Sequence, residues 1–65
     1  MKQASTVCKS ARARAGISQA ELARLAHCTR NTVINIESGA HQPSYLLMRT
    51  IEAVCEREAE KRKVA

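Results

Sequence analysis

Three side chains near the middle of the chain, Arg30, Asn31 and Asn35, are of the types that read nucleic-acid bases. Their spacing puts them on the outward side of one short helix. A guanidinium donates two parallel hydrogen bonds to the O6 and N7 of guanine, and a carboxamide both donates to and accepts from the edge of adenine. Taken one at a time, each is equally an ordinary solvated polar residue. What gives them meaning is the stretch that holds them, Gln19 to Ser38, QAELARLAHCTRNTVINIES.

That stretch reads as two short helices joined by a tight turn. Leu22, Ala23 and Ala26 share one face of the first, and Val33 and Ile36 share one face of the second. Ser18 and Glu21 form an S-x-x-E capping box, which starts the first helix near Gln19. Thr29 is an N-cap for the second, and Gly39 sits where a C′ glycine closes it. His27 and Cys28 leave too little chain for the helices to lie antiparallel, and Ala23 is small enough for the second helix to cross close over the first. This is a helix-turn-helix, which holds its second helix clear of the body, where a DNA major groove can receive it.

The flanking segments supply the body. A helix is predicted from about Gln3 to Ala15, stopped by Gly16, with Ala4, Val7, Cys8, Ala11 and Ala15 as its apolar stripe. Lys2, Lys9, Arg12 and Arg14 give it only positive charge, and Lys9 is either a phosphate contact or a solvated lysine. Ile17 bridges to the central motif as a core residue. After Gly39 comes the loop AHQPS, with Ser44 as the N-cap of a last helix that Tyr45 opens. Leu47, Met48, Ile51, Val54 and Cys55 face the core, whereas Leu46, Thr50 and Ala53 form a second small apolar ridge, a candidate homodimer contact. The run Glu56 to Lys63, EREAEKRK, reads as a solvated continuation of that helix, fraying near Val64.

With 65 residues the chain is one domain, 1–65, near the lower size limit for folding without disulfides or metals. Tyr45 is its one aromatic residue, so the core is aliphatic and the helices pack closely. The formal net charge of +5, from 11 basic against 6 acidic residues, favours phosphate-rich partners. No apolar run approaches a membrane span and no signal-peptide block opens the chain, which points to the cytoplasm. Cys8, Cys28 and Cys55 are odd in number and lack close zinc-type pairs. They read as reduced thiols acting as small hydrophobes rather than as a metal site with His27 or His41. No nucleophile–base pair suggests an enzyme, and the lack of exposed aromatics speaks against RNA.

The segment KSARARAGISQAELARLAHCTRNTVINIESG resembles the lambdoid phage repressor and Cro family of helix-turn-helix domains, the Xre type. The likeness runs from about Lys9 to Val54, and its most specific part is SQAELA followed, after the turn, by the I-E-S-G close. The resemblance implies an all-α, lambda-repressor-like domain of four helices, or five. It also implies a homodimer on double-stranded operator DNA, usually repressing transcription, with no catalysis, cofactor or small-molecule substrate. By the same likeness Gln19 matches a residue that bonds a DNA phosphate with its side chain and backbone N–H. Thr29 matches a contact to backbone or thymine methyl, and Arg30, Asn31 and Asn35 match the base-reading positions. Ser38 and the loop through Ala40, His41 and Gln42 match segments lying along phosphates. Arg12 and Glu37 match a structural ion pair, which removes Arg12 from the DNA contacts.

The chain departs from the family at three places. His27 stands where a glycine of positive φ is usual, which makes it a strained turn residue rather than a proton switch. Ile34 is apolar beside the base-reading face, facing either a thymine methyl or a partner subunit. Nothing interrupts the last helix after Val54, so a dimer built on a fifth helix is in doubt. The expected function is sequence-specific regulation of transcription, as a repressor of phage or prophage type. The alternative is a protein-interaction module such as an antitoxin or coactivator-type domain.

Overall fold

Ala4–Ala15 forms the first helix, α1, and Gly16 closes it in the left-handed region at φ 68°, its N–H bonded to the carbonyls of Arg12 and Ala13. The computed structural model describes residues 3–64, and Lys2 lies outside them. Three further helices follow: α2 (Gln19–Leu25), α3 (Arg30–Ser38) and α4 (Tyr45–Val64). The all-helical fold is thus four helices among the described residues, and α4 runs unbroken through the place where a fifth would begin.

Each boundary has its local cause. The Ser18 hydroxyl accepts the Glu21 N–H at 3.0 Å and caps α2. Only this half of the predicted capping box forms, because the Glu21 carboxylate turns to the Arg24 guanidinium, at 2.5 and 3.1 Å. A charged donor one turn away outcompetes a neutral backbone N–H. His27 takes φ 60°, the one positive value outside glycine among the described residues. That turn lets the Cys28 N–H reach back to the Ala23 carbonyl at 2.9 Å. Thr29 caps α3 through the Thr32 N–H at 3.2 Å, and Gly39 ends it at φ 85°. Ser44 caps α4 through the Leu47 N–H at 3.1 Å.

The core is built from Cys8, Ala11 and Ala15 of α1, Leu22, Ala23 and Ala26 of α2 and the adjoining turn, Val33 and Ile36 of α3, and Ile51 and Cys55 of α4. Four of these are alanines, so the helix axes come close and no large side chain is needed to fill the space between them. Ile17, Cys28, Leu47, Met48 and Val54 close its edges. All three cysteines are free thiols. Burial, and then the nearby Glu37 charge, push the Cys8 thiol up to about 12, which keeps it protonated and inert.

The charged end of α4 is not a bare solvated tail. Glu58 and Ala59 are half-buried, and Lys61 pairs with Glu58 at 3.1 Å. Lys61 also lies near enough to favour the charged form of Glu21, and Glu58 near enough to favour that of Arg24. The Arg62 guanidinium occupies the space that a side chain on Gly16 would fill, against the C-terminus of α1, where a cation is favoured by the helix dipole. The run EREAEKRK thus rests on the body at Glu58, Ala59 and Arg62, while most of its side chains are exposed to solvent as expected.

One carboxylate joins three helices. Glu37, near the end of α3, is 5% exposed, and its Oε2 accepts from Arg12 Nε at 2.7 Å and from Cys8 Sγ at 3.7 Å. Its Oε1 accepts from Arg12 Nη2 at 3.2 Å and from Gln19 Nε2 at 3.1 Å. Arg12 spends its remaining Nη1 on the Ile17 carbonyl at 3.1 Å, which fixes the α1–α2 link as well. Burial is the largest single influence on Glu37 and pushes its carboxyl up. The Arg12, Gln19 and Cys8 donors together outweigh it and hold the group below the usual glutamate range.

A lowered native value means that Glu37 contributes stability above the unfolded glutamate value of about 4.3, and loses it as pH falls through the native one. Acidification from about pH 6 to about pH 3 should therefore lower the thermal midpoint of the wild type, and Glu37→Gln should flatten that dependence. Glu37→Ala should cost about 3 kcal/mol, near the low end for a broken buried pair because Arg12 keeps some water. An unchanged midpoint in that variant would show that the pair contributes nothing. Replacing His27 by glycine should raise the midpoint by about 4–8 °C, the equivalent of about 1 kcal/mol of relieved backbone strain. A midpoint that falls on that substitution would dispose of the strain account.

Candidate nucleic-acid interface

The packing of α3 decides which of its residues face outward. Val33, Ile36 and Glu37 are buried, and directly opposite them stand the exposed side chains of Asn31, Asn35 and Ser38, one turn apart. Arg30 is also exposed but sits at the flank, in the first turn, on the same side as half-buried Ile34. The α3 surface therefore presents two neutral carboxamides in line and a guanidinium at its N-terminal edge. Its first turn carries no acidic residue. Within these 9 residues the exposed polar groups are thus a cation and hydrogen-bonding groups without negative charge, a set suited to the electronegative floor of a nucleic-acid groove.

The residues expected to flank such a helix fall into two groups. Gln19, Thr29 and Ser38 have polar atoms engaged inside the protein. Gln19 donates one amide hydrogen to Glu37 and keeps the other. The Thr29 hydroxyl serves as the α3 cap and shares a bond with the Thr32 hydroxyl at 2.9 Å. The Ser38 hydroxyl donates to the Asn35 carbonyl at 3.1 Å and accepts the Ala40 N–H at 3.4 Å. Lys9, His41 and Gln42 are exposed, without internal side-chain bonds among the described residues. Lys9 lies on the side of α1 that Arg12 uses to reach α3. His41 and Gln42 border, with Gln3 and Ser5, a shallow cleft between the start of α1 and the end of α3.

The loop that carries His41 and Gln42 is held by α3 itself. The Asn35 carbonyl accepts the Ala40 N–H at 3.0 Å and the His41 N–H at 3.1 Å, while the Gly39 N–H reaches the Ile36 carbonyl at 3.2 Å. Asn35 therefore has two tasks: its side chain faces out and its carbonyl fixes the following loop. Sequence reasoning found the Arg12–Glu37 pair but not the Gln19–Glu37 bond. That bond brings the start of α2 to the last turn of α3, and nothing in the spacing of these residues alone signals it.

No helix among the described residues is long and apolar enough to cross a membrane. A comparison with curated proteins and one with solved structures give no match. A family model described as helix-turn-helix, of the Xre and lambda Cro type, matches residues 9–61. The match begins where the sequence likeness begins, at Lys9, and extends beyond Val54 into the charged run that rests on the body. By its helices, its turn and this match, the chain belongs to the Xre-type helix-turn-helix family of DNA-binding transcription regulators.

Proposed function

We propose that the protein is a repressor of phage or prophage type that acts in the cytoplasm and reads a near-palindromic operator as a homodimer. The observation that carries this reading is the outer face of α3, where Asn31 and Asn35 stand in line with Arg30 beside them, opposite the buried Val33 and Ile36. Asn31 and Asn35 read adenine edges in the major groove, and Arg30 reads guanine or reaches a phosphate at the groove's edge. Gln19, with its free amide hydrogen and backbone N–H, contacts a phosphate. Lys9 and the His41–Gln42 loop take others, and Thr29 and Ser38 lie along the backbone. Leu46, Thr50 and Ala53 of α4 mark the surface through which two copies meet. Two copies would span half-sites about one helical turn, roughly 34 Å, apart.

The test is selection of bound duplexes from a random pool at fixed, near-physiological salt, with Asn31→Ala run in parallel. The wild type should enrich a palindrome. The variant loses the contact in both half-sites, so it should bind at least about 30-fold more weakly and relax the preference at one symmetric pair of positions. Enrichment of no motif, with affinity that simply fades as salt rises, would mean unspecific attraction to phosphates. An interaction module of antitoxin or coactivator type would then be the better description.

A further inference from the structure

The surface of α4 that faces away from the core carries a charge pattern that an antiparallel pair of copies satisfies and a parallel pair does not. Ile51 and Cys55 turn one side of α4 inward, and Leu46, Arg49, Ala53, Glu56, Glu60 and Lys63 line the opposite, exposed side at alternating spacings of three and four residues. Leu46 is 75% exposed at one end of this stripe, and Ala53 is its smallest member, near the middle. Along this stripe Arg49 precedes Ala53, the carboxylates of Glu56 and Glu60 follow it, and Lys63 ends it with a second positive charge. Glu52, Glu56 and Glu60 stand in one i, i+4 row, where like charges destabilise a helix. Among the described residues neither Arg49 nor Glu60 has an ion-pair partner within the chain.

We propose that this stripe is the homodimer surface and that two α4 helices pair along it antiparallel, about a twofold axis between Ala53 and Glu56. This inference rests on the homodimer reading above and specifies the surface and orientation that serve it. In that register Arg49 of each copy lies opposite Glu60 of the other, giving two symmetric ion pairs. Ala53 lies opposite Glu56 at the crossing, where its small side chain admits a close approach. The aliphatic stem of Lys63 covers Leu46, with its ammonium group in water. Parallel pairing would set Arg49 against Arg49 and Glu60 against Glu60. The charges therefore select the antiparallel arrangement and disfavour the other. The small apolar area makes this a weak, salt-sensitive contact, completed when operator DNA holds both copies.

Sedimentation of the full chain at low salt, with and without the palindromic duplex selected above, tests the surface. Arg49→Glu and Glu60→Arg should each weaken self-association by at least about tenfold, since each sets like charges against one another twice. The double variant, with its charges exchanged, should restore it. Ala53→Glu, exposed and outside both ion pairs, sets a carboxylate against Glu56 of the other copy and should also separate the copies while leaving the thermal midpoint in place. A dimer that survives the single reversals would overturn the α4 pairing and leave the homodimer reading intact. One chain per duplex in the wild type would overturn both.

Discussion

The Glu37 carboxylate is the interaction on which the rest of the structure depends. A buried charge is expensive, and its net gain over a well-packed apolar group of the same size is small or negative. What it supplies here is position. Arg12, Cys8 and Gln19 converge on two oxygen atoms, so the last turn of α3 has one permitted place relative to α1 and to the start of α2. An apolar contact at the same spot would tolerate sliding by a fraction of a turn, because dispersion is not directional. A bidentate guanidinium does not tolerate it. The placement of the last turn of α3 against the body follows from this.

The need for such a device follows from the core. With alanine at four of its ten buried apolar positions, the interior has close helices but few large side chains to interlock. Small-to-small contacts bury less area per residue than leucine or phenylalanine would, so a chain of this size has a modest apolar contribution. The end of α4 adds to it: Glu58 and Lys61 lie beside the Glu21–Arg24 pair, and Arg62 covers Gly16. The family match to residue 61 fits a domain whose last turns belong to the fold.

The elements and their ends were legible because each is set by short-range chemistry. Gly16 and Gly39 sit at positive φ, Ser18, Thr29 and Ser44 cap, and the apolar residues recur at helical spacing. The positive φ of His27 was legible only through the family resemblance, which has a glycine at that place in the turn. Less legible was anything decided by competition between partners far apart in sequence. Glu21 had a local use as a capping-box residue and took Arg24 instead. Gln19 looked free for a phosphate and gives one hydrogen to Glu37. The run EREAEKRK has almost no apolar pattern, so nothing in it announced contact with the body, yet Lys61 and Glu58 lie within electrostatic reach of Glu21 and Arg24 on α2, and Arg62 covers the bare surface of Gly16. Polar contact leaves no periodic signal in the sequence, whereas apolar packing does.

The distribution of charge separates two tasks that a DNA-binding surface has to perform. The centre of the outer face of α3 is neutral: Asn31, Asn35 and Ser38 carry no charge, and Arg30 stands at the edge. The surplus of basic residues lies elsewhere, on α1 and at the end of α4. Long-range attraction to phosphates depends on net charge and falls with salt, while discrimination among bases depends on hydrogen bonds with defined directions. A lysine-rich face on α3 would raise affinity for every sequence alike and so dilute the contribution of the two asparagines. Placing the positive charge on the body keeps the attraction and leaves α3 to choose. On the proposed reading, the Gln19–Glu37–Arg12 connection is what ties these two surfaces into one rigid unit, so that the register set on the phosphates is the register at which Asn31 and Asn35 meet the bases.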